Sequence, residues 1–246
     1  MALDGWCSIK DLIRWGFAST PVVMANEAHN GMTRCIRTRD VGARMIYAAH
    51  EAGVRRLAME ALPRSPTQPL GPMTEVPAAE GGYLAQPDMQ RLITTALDLG
   101  WSLWAYEVIV DPRLDRTQLL SREFTNWRER EQARNLCEVL AAAPDEPLMV
   151  WCGNSHASKV GDDDWVPMGC HFAATSGVGA FVIDQTVTVD FPAGDRSWVP
   201  ALLASIADTL AEHGGTAGIL RDQAPERLGC WLGVDAVVVS ADNALT

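Results

Sequence analysis

The sequence predicts a single α/β domain: a mostly parallel central sheet with helices on both faces. Three observations predict it. Short runs rich in Val, Ile and Ala alternate along the chain with longer segments of helical periodicity. The apolar runs are too short for helices and end at Gly, Pro or charged residues, as strands buried on both faces do. No linker, internal repeat or low-complexity tract divides the 246 residues, a length that α/β domains commonly reach. The domain is therefore expected to span residues 1–246. Strands joined through helices imply right-handed crossovers, and the tail after Val178 leaves room for antiparallel edge strands.

Taken in order, Pro21 to Ala25 (PVVMA) is a buried strand. Thr33 to Ala52 places Ile36, Val41, Met45, Ile46 and Ala49 at helical spacing, with Gly53 as its stop. Val54 to Met59 is the second strand. Pro63 to Gly82 holds five of the fourteen prolines and reads as a long loop, the kind that often carries function. Pro87 to Leu99 is a helix with Pro in its first turn and Gly100 beyond its end. Trp101 to Tyr106 is the third strand, Ser121 to Ala143 a long charged helix stopped by Pro144, and Leu148 to Cys152 the fourth strand. Lys159 to Gly179 has no readable pattern. Phe181 to Asp190 is extended. One amphipathic helix runs from Trp198 to His213, with Ser197 as its N-cap and Gly214-Gly215 as its stop. Val234 to Ser240 closes the chain as an apolar strand.

Composition narrows the function classes. Thirty-one acidic against twenty basic side chains give a net charge of −11. Nucleic-acid affinity rests on basic groups that release phosphate counterions, so a nucleic acid is not the expected partner. An acidic membrane surface is excluded on the same ground. No stretch reaches the roughly 20 apolar residues that a membrane helix needs. Met1 to Ser19 lacks the pattern of a signal peptide, being interrupted by Lys10, Asp11 and Arg14. The six scattered cysteines form no C-x-x-C pair and read as reduced thiols. A cytoplasmic protein is expected; the oligomeric state is not legible.

In open α/β sheets, ligands bind beyond the carboxyl ends of the strands. After the first strand come Asn26-Glu27-Ala28-His29, after the second Glu60, after the third Glu107, and after the fourth Gly153-Asn154-Ser155-His156. Each of the four strand ends delivers a carboxylate or an imidazole. The long helix adds Arg128, Glu131 and Asn135 at i, i+3 and i+7. Any one of these residues alone has a structural explanation, a turn cap or a solvated helix face. Their coincidence at one edge of one sheet points to general acid–base chemistry, or to a metal held by carboxylate and imidazole. Trp101, Trp104, Trp151 and Cys152 read as core. His50 and His213 read as surface or helix-end histidines, and His171 stays outside the site.

These segments, in this order, resemble the erythromycin esterase, ChaN-like and Tiki/TraB group of α/β proteins. Proteins of that group carry a G-E-x-H or G-x-x-H segment after the first strand and a glutamate after the second. An R-[DE]-x-x-x-A-x-N helix and a late G-x-x-H follow. The corresponding stretches here are Asn26 to His29, Met59-Glu60-Ala61, Arg128 to Asn135, and Gly153 to His156. Asn26 stands where the pattern has glycine. Asparagine enters left-handed conformations more readily than most residues, and its amide is a candidate pocket group.

The resemblance implies a site without implying one activity, since the group includes esterases, metal-dependent peptidases and haem-binding proteins. The leading expectation is a hydrolase acting on an ester, lactone or amide of a small molecule or peptide, with cyclisation or dehydration open to the same residues. His29 is the expected base, positioned by Glu27 or Glu60. Arg128 and His156 are expected to stabilise an oxyanion or protonate the leaving group. Glu107 completes the cluster, and the loop from Pro63 to Gly82 is the expected lid. A metal version places manganese, iron or zinc on His29, Glu60 and His156. The rival is a non-catalytic binder of haem or another small ligand, the less favoured inheritance. Its axial candidates are the histidines, Tyr106 and Tyr83.

Overall fold

The computed structural model describes residues 3–28, 32–60, 62–65, 70–76, 83–188, 197–228 and 233–241, with the backbone alone at 32–36, 83 and 227. In chain order its elements are α1 (Ile9–Ser19), β1 (Val22–Glu27), α2 (Met32–Glu51), β2 (Arg56–Met59), α3 (Pro87–Asp98), β3 (Ser102–Ala105), α4 (Arg116–Leu119), α5 (Arg122–Ala142), β4 (Leu148–Gly153), α6 (Met168–Ser176), β5 (Ala180–Asp184), α7 (Trp198–Ser205), α8 (Ala207–Glu212), β6 (Thr216–Leu220) and β7 (Ala236–Ser240). Three short 3-10 turns accompany them, at Tyr83–Ala85, Arg221–Gln223 and Glu226–Leu228.

The strands form one seven-stranded sheet in the order β3-β2-β4-β1-β5-β7-β6. Every pairing from β3 across to β7 is parallel, and β6 joins β7 antiparallel at the edge. The expected fold class is the observed one. The alternation of side chains along each strand sorts the core into two layers. Val23, Ala25, Leu57, Met59, Met149 and Trp151 pack against α1, α2 and α3. Val22, Met24, Ala58, Trp104, Val150 and Cys152 pack against α5 and α6. A third cluster seals the far edge, where Ile206 and Leu210 cover β6 and β7.

Two connections leave the sheet centre on opposite faces. The chain departs β1 through α2 on one face and departs β4 through α6 on the other, although β1 and β4 are neighbours. That makes the carboxyl ends of β1 and β4 the switch point, where such sheets open a ligand crevice. The α2 helix approaches the sheet closely there. A Cβ on Gly42 would stand 2.3 Å from the Trp151 ring, so only glycine lets α2 settle onto β4.

Several elements differ from expectation. β1 runs to Glu27, so Asn26 and Glu27 are strand residues and not part of a turn. The expected helix Trp198–His213 is two helices. Ile206 leaves helical geometry at φ −118°, and the Leu202 carbonyl is shared between the Ile206 amide at 3.2 Å and the Ser205 hydroxyl at 2.7 Å. α1, α4, α6 and β6 were not anticipated. α6 is amphipathic over too few residues to read, burying Met168, Gly169 and Phe172, but its limits are marked by Pro167 and by Gly177 in left-handed conformation at φ 66°. Parts of the Pro63 to Gly82 loop lie outside the described residues; within it Met73 makes an antiparallel bridge to Leu103 on the outer side of β3. No helix of the described residues is long and apolar enough to cross a membrane.

Candidate active site

Four of the six expected site residues meet at the carboxyl edge of β2, β3 and β4. Glu60 follows β2 directly. Its Oε2 accepts the Gly153 amide at 2.8 Å, which ties it to the end of β4. Glu107 stands two residues past β3 and accepts the amide of Val108 at 2.7 Å. Arg128, in the second turn of α5, lies between these two carboxylates. Its Nε reaches Glu107 Oε1 at 3.0 Å, and its NH2 group contacts both Glu60 Oε1 and Glu107 Oε2. Gln132, one turn further along α5, donates to Glu107 Oε2 at 3.1 Å. Burial alone would disfavour the Arg128 charge. The two carboxylates outweigh burial and hold the guanidinium protonated well above its ordinary range.

His156 is reached three residues past β4. Its Nδ1 lies 2.5 Å from Glu129 Oε1, and its Nε2 faces Glu60 Oε1 at 3.9 Å. Glu129 is fully buried. Its other oxygen accepts the Met168 amide at the first turn of α6, at 2.6 Å, and Trp165 Nε1 approaches Oε1 at 3.3 Å. The amide at a helix N-terminus lacks an intrahelical acceptor, so a carboxylate from α5 both caps α6 and holds the imidazole. Burial works against a charged His156. Glu60 and Glu129 outweigh it, so the imidazole pKa stands above its ordinary value. The Trp165 ring stands edge-on to the imidazole, 6.4 Å between centroids.

Glu27 takes a different position. Alternation turns its side chain to the α2 face, where Arg39 donates to Oε2 at 2.7 Å and to Oε1 at 3.1 Å, and Trp151 Nε1 donates at 3.0 Å. Arg39 also pairs with Asp88 at 2.7 Å, and all three charged groups are buried. His29 lies outside the described residues. Glu131, expected on the face of Arg128, instead pairs with the exposed Arg134 at 2.6 Å. The face that enters the site carries Arg128, Gln132 and Asn135, whose amide donates to the Tyr106 carbonyl at 2.8 Å. Tyr106 is not presented as an axial ligand: its hydroxyl is fully buried and donates to the Trp151 carbonyl at 3.1 Å. Asn26 does not adopt a left-handed turn; its side-chain amide bridges neighbouring strand ends.

Glu129 was missed, and a signal for it existed. The buried stripe of α5 comprises Leu140, Leu136 and Ala133 at helical spacing, and one more step back lands on Glu129. A charged residue in register with an apolar stripe is buried and needs a partner. A shallow groove of about 460 Å³ lies between α4 and the first turns of α5, lined by Leu114, Phe124 and Trp127 among others and by none of the four clustered residues. Phe124 precedes Arg128 by one helical turn, about 6 Å along the axis.

No protein-family model matches the chain, and no curated protein matches it. Among solved structures, the chain is similar to one described as bacterial protein toxins, at 15% identity and a TM-score of 0.48, over 73% of this chain and 37% of that one. It is also similar to the type III effector HopBA1, at 14% identity and a TM-score of 0.44, over 72% of this chain and 82% of that one. A third is RRSP, a MARTX toxin effector domain from Vibrio vulnificus CMCP6, at 17% identity and a TM-score of 0.42, over 62% and 31%. The chain spans little more than a third of the length of the first of these. Likeness at this level carries nothing about chemistry.

Proposed function

We propose that the protein is an acid–base hydrolase acting on an ester, lactone or amide of a small molecule or peptide, with His156 as its proton-transfer group. The observation that supports this most is the buried Glu129–His156 pair beside Glu60 at the switch point of the sheet. A carboxylate on Nδ1 selects the tautomer whose Nε2 is free to accept a proton, and it stabilises the imidazolium that forms. In this reading His156 Nε2 takes a proton from water as the water attacks the carbonyl, then returns it to the departing oxygen or nitrogen.

The charge balance revises the role expected of Arg128. Among the described residues around His156, Glu60, Glu107 and Glu129 face one guanidinium, and Arg128 is shared between two of the carboxylates. Such a cluster favours a developing imidazolium and disfavours an oxyanion. Arg128 accordingly holds Glu60 in place, and the base role expected of His29 passes to His156. The metal version keeps Glu60 and His156 as donors and needs His29 as the third. Among the described residues no three such side chains converge as a metal site, and Arg128 occupies Glu60 Oε1 and both oxygens of Glu107.

The test is hydrolysis of a panel of nitrophenyl esters, lactones and peptide amides by wild type, His156→Ala and His29→Ala, with the metal content of each protein measured. Hydrolysis abolished in His156→Ala and retained in part by His29→Ala supports the reading. Hydrolysis that persists in folded His156→Ala overturns it, as does a wild type inert toward the whole panel.

A further inference from the structure

We propose that Asn26 is a positioning residue for His156, acting through the positive-φ backbone of Asn154; this rests on the proton-transfer role given to His156. Asn26 is 2% exposed and stands at the carboxyl end of β1, on the face opposite Glu27. Its Nδ2 donates to the Asn154 carbonyl at 2.7 Å and to Asp184 Oδ1 at 2.9 Å, while its Oδ1 accepts the Gln185 amide at 2.9 Å. Both amide hydrogens and the amide oxygen are thus used, and they join the ends of three adjacent strands, β4, β1 and β5.

The Asn154 bond is the one that bears on His156. Among the described residues Asn154 is the only non-glycine with positive φ, at 33°. Asparagine tolerates positive φ better than most residues but less freely than glycine, so contacts that hold it there matter. The Asn154 amide donates to the Glu27 carbonyl at 2.8 Å and its carbonyl accepts from Asn26, so β1 grips this residue from both sides. The turn then closes with the His156 amide donating to the Gly153 carbonyl at 3.2 Å, which sets where the imidazole leaves the chain. Asp184 supports the grip from behind. Its Oδ1 accepts from Asn26, from the Thr186 amide at 2.8 Å and from the Thr186 hydroxyl at 2.8 Å, and it is fully buried. With its two hydrogens directed at Asp184 and the Asn154 carbonyl, the Asn26 amide has one orientation.

Without Asn26 the turn relaxes toward ordinary backbone angles, and His156 departs from Glu129. Glycine at 154 adopts positive φ at no steric cost, so Asn154→Gly should remove the need for the grip. The experiment uses full-length protein with ¹⁵N-labelled histidine and reads the imidazole nitrogens of His156 and its Nδ1 proton, assigned by their loss in His156→Ala. Asn26→Ala should displace these signals, and Asn26→Ala with Asn154→Gly should return them to their wild-type positions. Where hydrolysis is measured, kcat should fall about tenfold to a hundredfold in Asn26→Ala with KM little changed. Signals in Asn26→Ala that coincide with wild type overturn the proposal, as do displaced signals that Asn154→Gly leaves displaced. If Asn26→Ala does not fold, Asn26→Ser, which keeps one hydroxyl donor, is read by the same two criteria. The spectra need no substrate, so a protein that hydrolyses nothing overturns the preceding reading and leaves this one to its own result.

Discussion

Replacing Glu129 by glutamine tests the centre of the site with almost no change in volume. The carboxylate accepts from both sides, from His156 Nδ1 at 2.5 Å and from the Met168 amide at 2.6 Å. An amide has one acceptor and one donor, so Glu129→Gln cannot satisfy both. If its oxygen stays on Met168, its NH2 faces Nδ1 and drives the imidazole into the tautomer with hydrogen on Nε2. If it turns over, the Met168 amide is left buried beside a donor, at a cost of about 1–3 kcal/mol. An opposite charge this close favours the imidazolium and holds the His156 pKa above its ordinary value. Glu60, at 3.9 Å from Nε2, retains part of that effect. His156 should therefore titrate lower in Glu129→Gln than in wild type, because the buried carboxylate that favours its imidazolium is gone.

The same shift has a signature in stability. A histidine whose folded pKa stands above its unfolded value of about 6.5 adds stability that is complete below that value. The contribution is lost as pH rises through the raised folded pKa. Wild type should lose stability across that window in urea unfolding, and Glu129→Gln should show a flatter profile. The assay is a ¹⁵N-histidine titration beside urea unfolding at pH 6 and pH 9. A His156 titration unchanged in Glu129→Gln, with the tautomer also unchanged, would refute the reasoning.

Three further outcomes follow from neighbouring packing and charge. Arg39→Met leaves the buried Glu27 and Asp88 carboxylates without their shared guanidinium and should destabilise the fold by about 3–5 kcal/mol, read from the urea midpoint. Gly169→Ala drives a Cβ to 2.1 Å from the Ala157 carbonyl oxygen, where backbone must yield. Because the Gly169 amide also donates to the His156 carbonyl at 2.8 Å, both stability and the His156 imidazole signals should change. Burial pushes the Cys152 thiol far above its ordinary pKa and the Cys7 thiol up to about 11. Both should resist iodoacetamide at pH 8 in the folded protein, while the half-buried Cys137 and Cys170 react ahead of these two, as peptide mapping would show.

Much of the architecture is legible residue by residue. The runs around Val22, Leu57, Leu103 and Val150 are strands because Val, Ile, Leu and Met in stretches of four to six can be buried on both faces only within a covered parallel sheet. Reading the residue beyond each run then located Glu60, Glu107 and His156, because strand ends in such a sheet share one edge. What escaped the pattern were elements stabilised by tertiary partners. α6 is short, and its first amide is capped by Glu129 from another helix; β6 exists as an edge strand through its antiparallel partner β7.

The sequence by itself determined the sheet, its covered faces and the edge where carboxylates and imidazole collect, since these follow from local apolar periodicity and from chain direction. Which carboxylate serves which partner was decided only in three dimensions. Glu27 and Glu60 look alike as residues at strand ends, yet alternation sends one to Arg39 on the α2 face and the other to Arg128 and the imidazole. Glu129, hidden within a charged run of α5, becomes the partner of His156 because α5 packs against α6. Hydrogen bonds and ion pairs act over about 3 Å, so they depend on the register of packed elements, which no local pattern records.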